Sequence, residues 1–263
     1  MQCVDLKRRK FFAVLGIATS LLMLPLSVLA AAWNKAAFDA EKQDDAEKGL
    51  DINGEIPSSN ITVIAPDRAE NGAIVQVEIA ANIPNVEAIA IFVEKNPTPL
   101  IANVMLAKGA QAKLTTRIKM AETSDIKVIV KADGKYFTAS KNVQVLENGC
   151  GGGGSTNEKF ESSIKLRAKQ KGNLTEIKAI IIHPMHTGRA TDDFANIIPA
   201  HFIQLADLML NGQPILQMQW GTGIAKNPYL TCYVDNAKVG DKVSLTWHDN
   251  LGKTGTGEIE VTA

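Results

Sequence analysis

The residue with the clearest chemical possibility is Cys150, which stands in Asn148-Gly149-Cys150-Gly151-Gly152-Gly153-Gly154-Ser155. Glycine leaves the backbone free and puts no side chain beside the sulfur, and a Gly/Ser stretch behaves as a coil rather than a packed element. A thiol placed there is exposed and able to enter a narrow pocket. The plainer reading is a domain linker with an incidental cysteine. The thiolate is the reactive form, and a reference pKa of about 8.5 leaves a few per cent of it at neutral pH. Cys232 is of another kind. In Tyr229-Leu230-Thr231-Cys232-Tyr233-Val234 it shares a strand face with Leu230 and Val234, the position of a small buried hydrophobe.

The histidines give less. His183 and His186 flank Pro184-Met185; proline argues against a helix, and in a strand two positions three apart face opposite ways. No further Cys, Asp or Glu completes a zinc spacing, so the expectation is no metal and no cofactor. His201 and His248 are isolated in sequence. A Cys/His nucleophile needs a rigid mount with a base and oxyanion donors fixed around it, which a glycine run does not supply. No catalytic residue is assigned. The run also lacks the lysine and helix of a phosphate-binding loop.

The elements that must position Cys150 are short and β-like. Residues 1–32 carry Lys7-Arg8-Arg9-Lys10, an apolar run from Phe11, and Ala30-Ala31-Ala32, the pattern of a cleaved signal peptide; the paired arginines before Lys10-Phe11-Phe12 are of twin-arginine type. The product is expected in a bacterial periplasm, beginning near Trp33. Residues 33–49 are helix-favouring, with Gly49 as a stop. Seven strands follow, near 60–64, 74–80, 88–93, 101–106, 113–119, 126–131 and 136–146. Beyond the glycine run come seven more, near 163–168, 176–182, 202–210, 215–220, 229–235, 242–248 and 258–262. Asn71-Gly72, Asp133-Gly134 and Asn211-Gly212 are hairpin dipeptides. The reading is all-β: two immunoglobulin-like antiparallel β-sandwiches in series with an N-terminal helix. The divisions are 1–32 signal, 33–147 first sandwich, 148–158 glycine-rich arm and linker, and 159–263 second sandwich.

The 28 basic and 28 acidic residues balance, with no basic stripe for nucleic acid and no acidic tail. Removal of the signal takes Cys3 with it, leaving Cys150 and Cys232. With Cys232 in a strand core, Cys150 is an unpaired exported thiol, for which a disulfide-linked homodimer is expected in an oxidising compartment.

Several segments together resemble a known system. Ala65-Pro66-Asp67, Ala69-Glu70-Asn71-Gly72, Asn96-Pro97-Thr98-Pro99 and Gly149-Cys150-Gly151-Gly152 are similar to the SoxY family of periplasmic thiosulfate oxidation. Ile182-His183-Pro184-Met185, Asn227-Pro228-Tyr229 and Trp247-His248-Asp249-Asn250 resemble SoxZ. The resemblance implies a sulfur carrier rather than an enzyme, with Cys150 as covalent attachment point and Gly149, Gly151, Gly152, Gly153 and Gly154 as its arm. It implies a SoxAX-type haem enzyme that couples thiosulfate to the cysteine as an S-thiosulfonate, a SoxB-type hydrolase that releases sulfate, and a sulfane dehydrogenase where present. Neither nucleic acid nor stable membrane association is implied. The sequence departs from the family in that Asn148 replaces a glycine and the chain continues where SoxY ends in a free tail. A thiol redox or exchange protein using Cys150 is the alternative, disfavoured by the lack of a nearby resolving cysteine. A similar carrier serving another periplasmic dehydrogenase, and a two-sandwich binding protein with a plain linker, also stay open.

Overall fold

The structure is a computed structural model that describes residues 32–148 and 161–263. The first half contributes α1 (Lys35–Phe38), α2 (Gln43–Gly49), β1 (Glu55–Pro57), β2 (Ile61–Ile64), β3 (Arg68–Asn71), β4 (Val75–Ala81), β5 (Val86–Val93), β6 (Leu100–Leu106), β7 (Ala110–Ile118), β8 (Ser124–Ala132) and β9 (Lys135–Glu147). The second contributes β10 (Ile164–Lys171), β11 (Leu174–Ile181), β12 (Ile203–Leu210), β13 (Gln213–Trp220), β14 (Tyr229–Asp235), β15 (Lys242–Asp249) and β16 (Thr254–Glu260). Strand formation follows period-2 burial. In β4, Val75, Val77 and Ile79 are buried and Gln76 is exposed; in β15, Val243, Leu245 and Trp247 point inward while His248 points out.

The sandwich expected of each half is present, and the two halves share both of its sheets. The larger sheet runs β1-β9-β8-β5-β6-β13-β12-β15-β16, with β3 also on β9; the smaller runs β10-β11-β14-β7-β4-β2. The halves join edge to edge where β6 pairs antiparallel with β13 and β7 with β14. One core fills the space between, with Val77, Ile91 and Ile118 from the first half meeting Ile177, Leu208 and Trp247 from the second. Pairing through both joints removes the four exposed sheet edges, on β6, β13, β7 and β14, that separate sandwiches would leave.

The helical region is two short helices rather than one, broken at Asp39–Lys42. They dock Ala37, Phe38 and Ala46 with Ala90, Phe92 and Ile129 on the outer face of the larger sheet. Gly49 is required there, since a Cβ on it would lie 2.8 Å from the Ala37 Cα.

Asp133-Gly134 and Asn211-Gly212 make the expected hairpins, all four residues at positive φ. Asn71-Gly72 does not. β3 runs parallel to β9, and β4 pairs with β2 and β7. Asn71 instead accepts the Ala73 N–H on its side chain at 2.7 Å, an Asx turn that sends the chain across to the other sheet. β1 and β3 were not expected; both are short parallel additions to β9, too brief to show a period.

Candidate functional site

Cys150 and the arm glycines Gly149, Gly151, Gly152, Gly153 and Gly154 lie outside the described residues, as do residues 1–31. What the structure describes is where the arm leaves and re-enters. At the departing foot, Gly72 N donates to Glu147 O at 2.9 Å and Met120 N donates to Gly72 O at 2.8 Å. The neighbouring Lys119, nearly buried, donates its ammonium to the carbonyls of Met185 and, at 3.0 Å, of Thr222. At the returning foot, Ile182 N donates to Ser163 O at 2.8 Å. Both feet are therefore tied to the segment 182–185.

Strand register places these residues on one rim of the sandwich. Ile64 is near Glu78, Val75 opposite Ile118, Ser124 opposite Val143, Ile164 opposite Ile181 and Ile203 opposite Asp249. The segments that carried the resemblance, the arm cysteine's own segment aside, converge on the same rim, each as a brace. Asn96 donates to Lys119 O and accepts from Ala121 N, both at 2.8 Å. Asn227, at φ +54, accepts the His183 N–H at 3.1 Å. Asn250 accepts from Phe202 N at 2.8 Å and donates to Ala200 O at 3.0 Å. Such side chains satisfy loop backbone that no strand partners.

The rim also gathers His183, His201 and Asp249, which sequence separation hid. His201 donates from Nε2 to Asp249 Oδ2 at 2.8 Å, and His183 Nε2 lies 3.5 Å from the same oxygen. The other carboxylate oxygen accepts the N–H groups of Leu251 and Lys253 at 2.9 and 2.8 Å. Burial pushes Asp249 up, but His201, these two N–H groups and His183 outweigh it and hold the carboxyl below its usual value. Burial drives His183 down to about 4, His201 assisting and Asp249 opposing. His186 is lowered by burial, then by His201, Lys119 and Lys226. The period-2 pattern of β15, with Trp247 and Asp249 inward, was the available clue.

Three ligand atoms of this cluster lie within 4.8 Å of one another, so a metal is worth testing against the chemistry. His183 Nδ1 accepts the Met185 N–H at 3.2 Å. That puts the ring proton on Nε2, the atom facing Asp249, where a metal needs a bare nitrogen. The donor set fits a hydrogen-bonded brace between three chain segments and does not fit a metal. His248 points outward on β15, away from it.

Cys232 is fully buried on β14 between Ile177 and Leu114. Burial pushes its thiol up to about 12, so it holds no reactive thiolate.

A sandwich whose two halves share their sheets, with Glu147 and Ser163, the described flanks of the cysteine-bearing glycine stretch, both at one rim, defines a two-part β protein. Residues 51–150 match the family described as sulfur oxidation protein SoxY, and residues 164–260 match sulphur oxidation protein SoxZ. The chain is 34% identical to a solved structure of the sulfur carrier protein SoxY from Chlorobium limicola f thiosulfatophilum. That likeness covers 40% of this chain and 96% of the other at a TM-score of 0.37. Comparison with curated proteins gives no match. The chain belongs to the SoxY and SoxZ families of sulfur oxidation, with one member of each fused in a single polypeptide.

Proposed function

We propose that the protein is a periplasmic, non-catalytic sulfur carrier that holds thiosulfate-derived sulfur covalently on Cys150 and presents it to partner enzymes. The observation that supports this reading most directly is that Glu147 and Ser163, which flank the Cys150 stretch, are both hydrogen-bonded into the body at one rim. Loading joins the cysteine thiolate to the outer sulfur of thiosulfate. The new S–S bond releases two electrons, which pass to a SoxAX-type haem enzyme. A SoxB-type hydrolase then adds water across the sulfonate and releases sulfate. A sulfane dehydrogenase, where present, oxidises the sulfur left on the cysteine.

The feet bound the mechanics. Ser163 borders β10 at one side of the smaller sheet, and Glu147 closes β9, which packs by β2 at the other side. Five strand spacings separate those sides, about 24 Å. Cys150 follows Glu147 by only three residues, so its Cα lies within about 10 Å of that foot. A partner therefore meets the thiol close to the rim, with a loop of chain rather than a free tail to accommodate.

The test is the covalent state of Cys150 after incubation with thiosulfate and a SoxAX-type enzyme. The wild-type protein gains one thiosulfate-derived group and Cys150→Ser gains none. Equal labelling of both proteins, or of neither, refutes the assignment.

A further inference from the structure

The arm rim is also where the molecule exposes its apolar side chains. Among the described residues eight large hydrophobic side chains are well exposed, and six of them, Ile64, Ile74, Leu146, Phe194, Ile197 and Leu251, stand at the rim or on loops that leave it. Single exposed apolar residues are ordinary, whereas a concentration on one face marks an interaction site. Phe194 is the extreme case at 86% exposure.

The loop that carries Phe194 is built to hold it out. Its base is closed by Ile198 N donating to Ala190 O at 2.8 Å, with both of these residues buried. At its tip Asp192 Oδ1 accepts the N–H groups of Phe194 and Asn196 at 2.9 and 2.8 Å. Asp192 O accepts from Ala195 N at 3.0 Å, and Asp192 N donates to Asn196 O at 2.9 Å. Ala195 sits at φ +62 to close the turn, a left-handed conformation that a non-glycine residue adopts only against its steric preference. A loop that only connected β11 to β12 has no need of that strain to keep a phenyl ring in water.

We infer that the Asp192–Ile197 loop, with Phe194 as its anchor, is the docking element by which the haem enzyme that loads Cys150 recognises this protein. This rests on the carrier reading. The partner surface it fits is an apolar recess for Phe194 and Ile197 beside the mouth of a channel that admits the thiol. The partner follows from the described flanks of the cysteine stretch: Glu147 and Ser163 are both held on this same rim. Glycines carry no side-chain information, so recognition falls to the body around them, and a rigid aromatic is the residue type that anchors such contacts.

The test uses the full protein with a SoxAX-type enzyme and thiosulfate, comparing wild type, Phe194→Ser and Phe194→Leu. Phe194→Ser is expected to lower kcat/KM for loading about 30-fold, the cost of a lost anchor, through KM with kcat retained, and Phe194→Leu to recover part of it. The rate at which iodoacetamide alkylates Cys150 stays unchanged, as does the melting temperature. A kcat/KM within twofold of wild type overturns the inference. So does faster alkylation in Phe194→Ser, which would show the ring covering the chain's own cysteine stretch. No loading of the wild-type protein refutes the carrier reading itself and takes the docking role with it.

Discussion

Lowering the pH from 7 to 4.5 should destabilise this protein through His183 in particular. The ring is fully buried, and its pKa falls from 6.5 to about 4 on folding. Below pH 6.5 the unfolded chain binds a proton that the folded one refuses, so stability drops as pH falls through that window and levels off near 4. The fall from 6.5 to about 4, at about 1.4 kcal/mol per tenfold change in proton affinity, caps the effect at ~3.5 kcal/mol, of which roughly 2.5 has been lost by pH 4.5. Asp249 runs the same way but below its ordinary 3.8, outside this window. The control is His183→Gln, which keeps an N–H toward Asp249 and does not titrate. Urea unfolding at pH 7, 6, 5 and 4.5 should show the wild-type midpoint falling by about 1 M more than that of the variant. Parallel pH profiles for the two proteins would refute the argument, placing the acid sensitivity in carboxylates common to both.

Two further outcomes follow from packing. Gly255 faces the Trp247 indole so closely that a Cβ would lie 2.7 Å from Nε1; Gly255→Val should cost about 1–3 kcal/mol, read as a lower urea midpoint with an unchanged slope. In a chain begun at Trp33, iodoacetamide should label one thiol in native protein and two in urea, because Cys232 is buried with its thiol pushed up to about 12. Two rapidly labelled thiols in the native state would contradict the burial.

Most of the strand frame was legible because its signal is local. In β4 alternation is clean enough to name the buried face; in β8 and β14 Ile129 and Thr231 on the other face are buried as well, yet Cys232 still falls on the inward side with its neighbours Leu230 and Val234. What stayed hidden depends on partners distant in sequence. Nothing in Val104 or Met218 states that β6 will pair with β13 across the two halves. Asn71-Gly72 carries a hairpin signature that an Asx turn uses otherwise. The cluster of His183, His201 and Asp249 spans 66 residues, so three unremarkable positions become one buried brace. The resembling segments were visible as motifs, but only strand register shows them as braces of one rim.

The central claim is that Cys150 carries sulfur from one enzyme to the next, and mass spectrometry of the intact protein through two successive steps tests it most directly. With thiosulfate and a SoxAX-type enzyme, the protein should gain one thiosulfate-derived group at Cys150; addition of a SoxB-type hydrolase should then remove a sulfonate and leave one sulfur on the same residue. Mass unchanged at the first step, or a gain that persists in Cys150→Ser, would contradict the account.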